Sequence, residues 1–255
     1  MPRLAFACEY DGTDFVGWQT QANGRTVQAV LTEAISEVAD EPVEVHGAGR
    51  TDAGVHADGQ VAHFDTRAQR RPDQWRNGIN SNLPADVSLG WVCAVSERFD
   101  SRRSAIWREY RYTIASRPTR PARARRDVWW LREPVDCGAM TAAATAWLGE
   151  RDFSAFRAAN CQSTTPMRRM IRIALARHDG LIELSFRANA FLYHMVRNLV
   201  GALVCIGRGE AEPELGRLLV AGRDRTRGPA TAPAHGLTLA AVAYPDEFGL
   251  PAAKV

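Results

Sequence analysis

The chain has 255 residues, enough for one large domain or two of ordinary size, and its 45% apolar and 24% charged shares suit a soluble globular enzyme. No N-terminal stretch joins a basic start, an apolar run and a cleavage site. The longest apolar run, Phe191 to Ile206, is broken by His194, Arg197 and Asn198, so the expectation is a cytoplasmic protein with no membrane span. The net charge is +3, and every basic residue except Lys254 is arginine; the five scattered cysteines form no Cys-x-x-Cys pair, which argues against a disulfide framework or a structural zinc.

In chain order, Leu4 to Glu9 reads as a strand entering a turn at Asp11-Gly12. Val27, Val30, Leu31, Ala34, Ile35 and Val38 share one helical face, with Thr26 as the N-cap. Val43 to Phe64 reads as strand, glycine-rich loop, strand; the polar stretch around Trp75 and Ile79 as a helix; Val87 to Val95 as a strand. Tyr110, Tyr112 and Ile114 alternate with polar residues as in a strand, and a helical stripe from Ala139 to Leu148 follows Asp136. Ile171, Ile173 and Leu175, the turn Asp179-Gly180, then Ile182, Leu184 and Phe186 form a hairpin. Helices from about Ala190 to Ile206 and from Leu215 to Val220 precede a last strand, Leu237 to Val242. Each half mixes strands with two helices, which fits an α+β protein of two α/β sandwich halves sharing a mostly antiparallel sheet. The expected halves are 1–105 and 106–255, with a loop at Arg117 to Arg126.

The stretch GAGRTDAGVH, Gly47 to His56, differs from the core-building segments around it. Glycines let a ligand approach the main chain, and an arginine, Arg50, beside an acid, Asp52, favours an ionised carboxylate in a site. A glycine-rich hairpin without chemistry is the alternative. Arg98, Arg102, Arg103, Arg108 and Arg111 are interleaved with Phe99, Trp107, Tyr110 and Tyr112, and Arg117, Arg120, Arg123, Arg125 and Arg126 lie just beyond. Guanidinium groups for phosphates and flat rings for bases suit a nucleic-acid surface. Arg197 sits in the apolar Phe191–Ile206 segment; if buried it calls for an acid, and Asp52 in a cleft between the halves is the natural candidate. If it faces solvent, it needs none.

Several chemistries find no support. GAGRTD is not a dinucleotide loop, no P-loop exists, and Lys254 is too close to the chain end to suggest Schiff-base chemistry. Asp52, His56, Asp58 and His63 could converge on a metal for hydrolysis, although their spacing fits no strong metal motif. A metal-dependent nuclease and a noncatalytic RNA-binding protein therefore stand as alternatives to an enzyme acting through Asp52.

The chain resembles the tRNA pseudouridine synthase A (TruA) family from end to end. The resemblance rests on EYDGTDFVGWQ (Glu9 to Gln19), GAGRTDAGVHADGQVAHF (Gly47 to Phe64), NGINSNLP (Asn77 to Pro84), REYRYTI (Arg108 to Ile114), RDFSAFRA (Arg151 to Ala158), FLYHMVRNLVGAL (Phe191 to Leu203) and HGLTLAAVAYP (His235 to Pro245). One departure follows Phe99, where Asp100-Ser101-Arg102-Arg103 replaces a His-Ala-Arg-like stretch. The resemblance implies two ferredoxin-like halves with a central cleft, and conversion of uridine to pseudouridine at positions 38, 39 and 40 of the tRNA anticodon stem-loop. It also implies a homodimer, no cofactor and no metal. Asp52 matches the nucleophile of the family motif, Arg197 the arginine that pairs with it, and Tyr110 the tyrosine that stacks on the flipped uracil. Arg50 is then placed to hold the extruded nucleotide, with His56 beside it in the substrate-binding set.

Overall fold

The computed structural model describes residues 1–251, which form two compact units of mixed α+β structure. The first unit holds Met1–Trp107 and the chain from Thr238 onward; the second holds Arg108–Leu237. The sequence split at residue 105 assigns the last strand to the second half; in the structure that strand groups with the first unit.

In the first unit, strand β1 (Arg3–Tyr10) lies between β4 (Val87–Val95) and β3 (His56–Asp65), antiparallel to both. The two-residue strand β2 (His46–Gly47) pairs with β3, and Leu237–Ala243, the tenth strand of the chain (β10), runs parallel to β3 with Thr238 opposite His56. Helix α1 (Val27–Ala39) starts where the Thr26 hydroxyl accepts the Ala29 amide, and buries Val27, Leu31, Ala34 and Ile35 at helical spacing. Helix α2 (Pro72–Asn82) opens on Pro72, whose missing N–H costs nothing in a first turn, and buries Trp75 and Ile79. Trp75 meets Phe64 of β3 edge-on at 5.4 Å, which fastens the helix to the sheet. Arg3 forks onto Asp65 at 2.7 and 2.8 Å and fixes the register of the β1–β3 pair.

The second unit is built on β5 (Trp107–Ser116), paired antiparallel with β9 (Leu181–Ala188); β9 pairs with β8 (Met167–His178), and β8 with β7 (Gly149–Asp152). The short strand β6 (Trp129–Leu131) adds to β5 in parallel. Helix α3 (Cys137–Ala144), capped by Asp136, packs on α4 (Met195–Gly207) and α5 (Leu215–Gly222). Helix α4 is apolar on most faces and buries Leu199, Val200, Ala202 and Leu203, as a central core helix must. Among the described residues no helix is long and apolar enough to cross a membrane, and all five cysteines are free thiols.

Two expected elements differ from the structure. The strand before the glycine-rich loop shrinks to His46–Gly47, because buried Val43 and Val45 pack without ladder partners. The long helix begins at Met195, not near Ala190. His194 adopts a left-handed φ of 61°, and the Tyr193 carbonyl accepts from Ala158, so this stretch turns before the helix starts.

The departure segment after Phe99 closes the first unit's core. Asp100 accepts the amides of Arg102 and Arg103, and fully buried Ser101 donates its hydroxyl to the His46 carbonyl. The Ser101 amide donates to His63 Nδ1 at 3.2 Å, so that nitrogen accepts and the ring is neutral. Burial, with Arg3 and His46 nearby, pushes the His63 pKa down to about 4. A histidine whose pKa falls on folding contributes stability that is complete above pH ~6.5 and fades as pH drops toward 4. Chemical denaturation should therefore show unfolding free energy declining across that window. His63→Asn, which keeps an acceptor but does not titrate, should flatten the decline; an equally steep decline in the variant refutes the assignment.

Candidate active site

The loop from Ala48 to Val55 is held along its length by the segment that leaves β1. Trp18 donates its amide to the Thr51 carbonyl at 3.1 Å, and Gly54 donates to the Phe15 carbonyl at 3.2 Å. Thr51, only 6% exposed, pairs its hydroxyl with the Tyr10 phenol at 2.9 Å. Two glycines permit the fit. A Cβ on Gly12 would stand 2.0 Å from the Val55 carbonyl oxygen, and Gly17 combines a φ of 110° with a close approach to Thr51. On the other side, Gln60 of β3 donates Nε2 to the Gly49 carbonyl at 2.8 Å, while its buried Oε1 has no hydrogen-bond partner among the described residues.

Within this frame Arg50 is exposed and Asp52 half-buried. A carboxylate on a pinned backbone, reachable from solvent, is what a nucleophile requires. His56 is buried: the Gly12 amide donates to its Nδ1 at 3.0 Å, and Asp11 Oδ1 lies 3.2 Å from the same nitrogen. Its ring thus also holds the Asp11-Gly12 turn in place. Asp58 is exposed, whereas His63 stacks on His46 at 5.1 Å and binds Ser101. Among the described residues no group of three or more His, Cys, Asp or Glu could hold a metal ion.

In the second unit, Tyr110 lies on β5 opposite Phe186, 8% exposed, with Phe191 edge-on to its ring at 5.1 Å. Arg197 is half-buried on α4; its Nε donates to the Ala232 carbonyl at 2.8 Å, and the Ala232 amide returns a bond to the Arg197 carbonyl at 3.1 Å. Neighbouring Asn198 is buried, donates to the Phe156 carbonyl and accepts from Arg225 and Thr231. The polar stripe on this apolar helix therefore docks the chain around 225–232.

The interleaved arginines and aromatics are only partly open: Arg98, Arg102 and Arg103 are exposed, but the rest of the cluster turns inward or is half-buried. Phe99 and Tyr112 are fully buried, and Arg108 is 8% exposed with a guanidinium bond to the Asn189 carbonyl. Strand alternation explains this: in β5 the rings of Tyr110 and Tyr112 face the core. The structure adds Tyr10, Phe15, Trp18, Thr51 and Gln60 to the residues that shape the site. The available signal was the concentration of Gly, Asp and aromatic residues in EYDGTDFVGWQ, whose purpose is to brace a loop far along the chain.

Gly12→Ala should destabilise the protein by about 2 kcal/mol or more, since the new methyl meets backbone that cannot yield. Gly49→Ala, with nothing within 4 Å of its Cβ, should stay within about 0.5 kcal/mol. Denaturant midpoints check both, and equal effects would remove the argument for a tight loop join.

Residues 6–102 and 143–245 match the model of a family described as tRNA pseudouridine synthase. A Shewanella amazonensis protein named tRNA pseudouridine synthase A is 48% identical over 249 residues, covering 98% of this chain and 95% of that protein. Proteins of the same name from Vibrio cholerae and Escherichia coli are 46% and 48% identical, again over 98% of this chain and over 94% and 92% of theirs. The chain belongs to the tRNA pseudouridine synthase family.

Proposed function

We propose that this protein is a tRNA-modifying isomerase that converts uridine to pseudouridine at positions 38, 39 and 40 of the anticodon stem-loop. The observation that carries the reading is near-half identity along almost the whole chain to proteins named tRNA pseudouridine synthase A. Half-buried Asp52 on a braced loop supports the choice of nucleophile.

The reaction breaks the bond between C1′ and N1, rotates the uracil and joins C1′ to C5; C5 loses a proton and N1 gains one. Nothing is oxidised or hydrolysed, so the scheme needs no cofactor or metal. A carboxylate suits it because it can form a covalent adduct and then leave. The target base must first swing out of its stack. Arg50 is proposed to hold the extruded nucleotide, with His56 completing the substrate-binding set. Tyr110 is proposed to stack on the uracil and take the C5 proton, and Arg197 to act as the cationic partner of Asp52. The proposal includes two ferredoxin-like halves with a central cleft, and a cytoplasmic homodimer that holds one tRNA across both subunits.

Release of tritium from C5-labelled uridine in tRNA reads the reaction directly. Asp52→Asn should release none while binding tRNA within several-fold of the parent. Turnover by that variant refutes the nucleophile. Arg197→Ala should also lose turnover, with Arg197→Lys recovering part of it; full activity in Arg197→Ala overturns its role.

A further inference from the structure

Several arginines sit against carboxylates: Arg3 on Asp65, Arg25 on Asp86, Arg187 on Glu109, Arg217 on Glu214 and Arg223 on Asp152. The connection between β5 and β6 is set apart by its density of arginine. From Arg117 to Arg126 it carries five arginines and no acidic residue. Arg117, Arg120, Arg123 and Arg125 are exposed, and none of these four forms an ion pair among the described residues.

The loop is anchored rather than loose. Arg117 donates its amide to the Leu131 carbonyl at 3.1 Å, and the Trp130 indole donates to the Arg117 carbonyl at 2.9 Å. Pro121 is buried in mid-loop, and Asp127 closes a turn onto the Ala124 carbonyl at 3.1 Å. Like charges this close on the chain repel one another within a Debye length of about 10 Å at 0.1 M salt. Holding five of them on a fixed scaffold with Asp127 as the one adjoining acid favours an external polyanion.

We infer that this loop is a contact surface for the phosphate backbone of RNA; the inference rests on the reading of tRNA as substrate. The loop's side chains choose between partner classes. Between Arg117 and Arg126 the residues other than arginine are proline, threonine and alanine, with no aromatic or large aliphatic side chain. A protein partner would want a buried apolar anchor at the centre of its interface, and the loop offers none. Base reading would want rings to stack on, and these too are missing. What remains is charge at spaced positions, which fixes the position of a nucleic acid without reading its sequence.

The test is the salt dependence of tRNA binding by the full-length protein in which Arg117, Arg120, Arg123 and Arg125 are all replaced by Gln. Each lost phosphate contact lowers the slope of log Kd against log salt by about 0.7–0.9. The variant should lose a slope of about 1 or more, with the kinetic loss falling on KM. A smaller change overturns the inference. So does an equal change when exposed Arg67, Arg70, Arg71 and Arg76 are replaced by Gln instead, because the effect would then be overall charge. Loss of binding to poly-glutamate with tRNA affinity intact also overturns it, in favour of an acidic protein partner. Pseudouridine formation by the unmodified protein is measured in parallel. Loop-dependent RNA binding without any pseudouridine would refute the proposed function and leave the loop inference standing.

Discussion

The carbonyl of Thr51 accepts the Trp18 amide and its hydroxyl meets the Tyr10 phenol, so the residue before Asp52 cannot turn without breaking the join between the exit of β1 and the loop. Each such bond contributes only about 0.5–1.5 kcal/mol net, but breaking one in a buried place leaves an unsatisfied polar group that costs about 1–3 kcal/mol. The penalty is therefore steep on both sides of the native geometry. The join exists only because Gly12 and Gly17 let two backbones come together where a side chain would force them apart. Gln60 grips the other flank through Gly49. Asp52 thus sits on main chain that is fixed from both sides while its own side chain stays within reach of solvent.

Regular elements were legible wherever a periodic apolar pattern met a clear stop signal. The helix capped by Thr26, the strand Val87–Val95 and the hairpin turning at Asp179-Gly180 appear where the pattern places them. Periodicity failed where a local bond overrides it. The apolar run before Met195 looks helical, yet His194 takes a left-handed conformation and Tyr193 bonds the chain near Ala158. The bracing of the glycine-rich loop was illegible for a different reason. A contact between Trp18 and Thr51 has no periodic signature, and only unusual residue types mark its two ends.

The arginines show how a strand's two faces mislead a linear reading. Side by side in sequence, Arg108 to Tyr112 look like one mixed surface of charge and ring, yet the pleat sends the rings inward. Arg111 stays half-exposed, facing Glu183 at 3.6 Å, and Arg108 turns onto a backbone carbonyl. Ten residues later no strand sorts the side chains, and Arg117, Arg120, Arg123 and Arg125 stand exposed without an ion pair among the described residues. Arginine thus lines the core in one place and faces solvent in another, and backbone geometry decides which.

The parallel pairing of β10 with β3 makes the first unit discontinuous in the chain, with the entire second unit spliced between its two pieces. The strand that pairs with β3 beside the Asp52 loop comes from far along the chain, after the second unit. Gly59 marks how close that pairing is: a Cβ there would stand 2.6 Å from the Ala240 carbonyl oxygen. The second unit is contiguous in sequence, whereas the first is joined from two pieces. Covering β3 beside the Asp52 loop therefore closes a chain loop that contains the second unit, and long-range pairing of this kind is intrinsically slow.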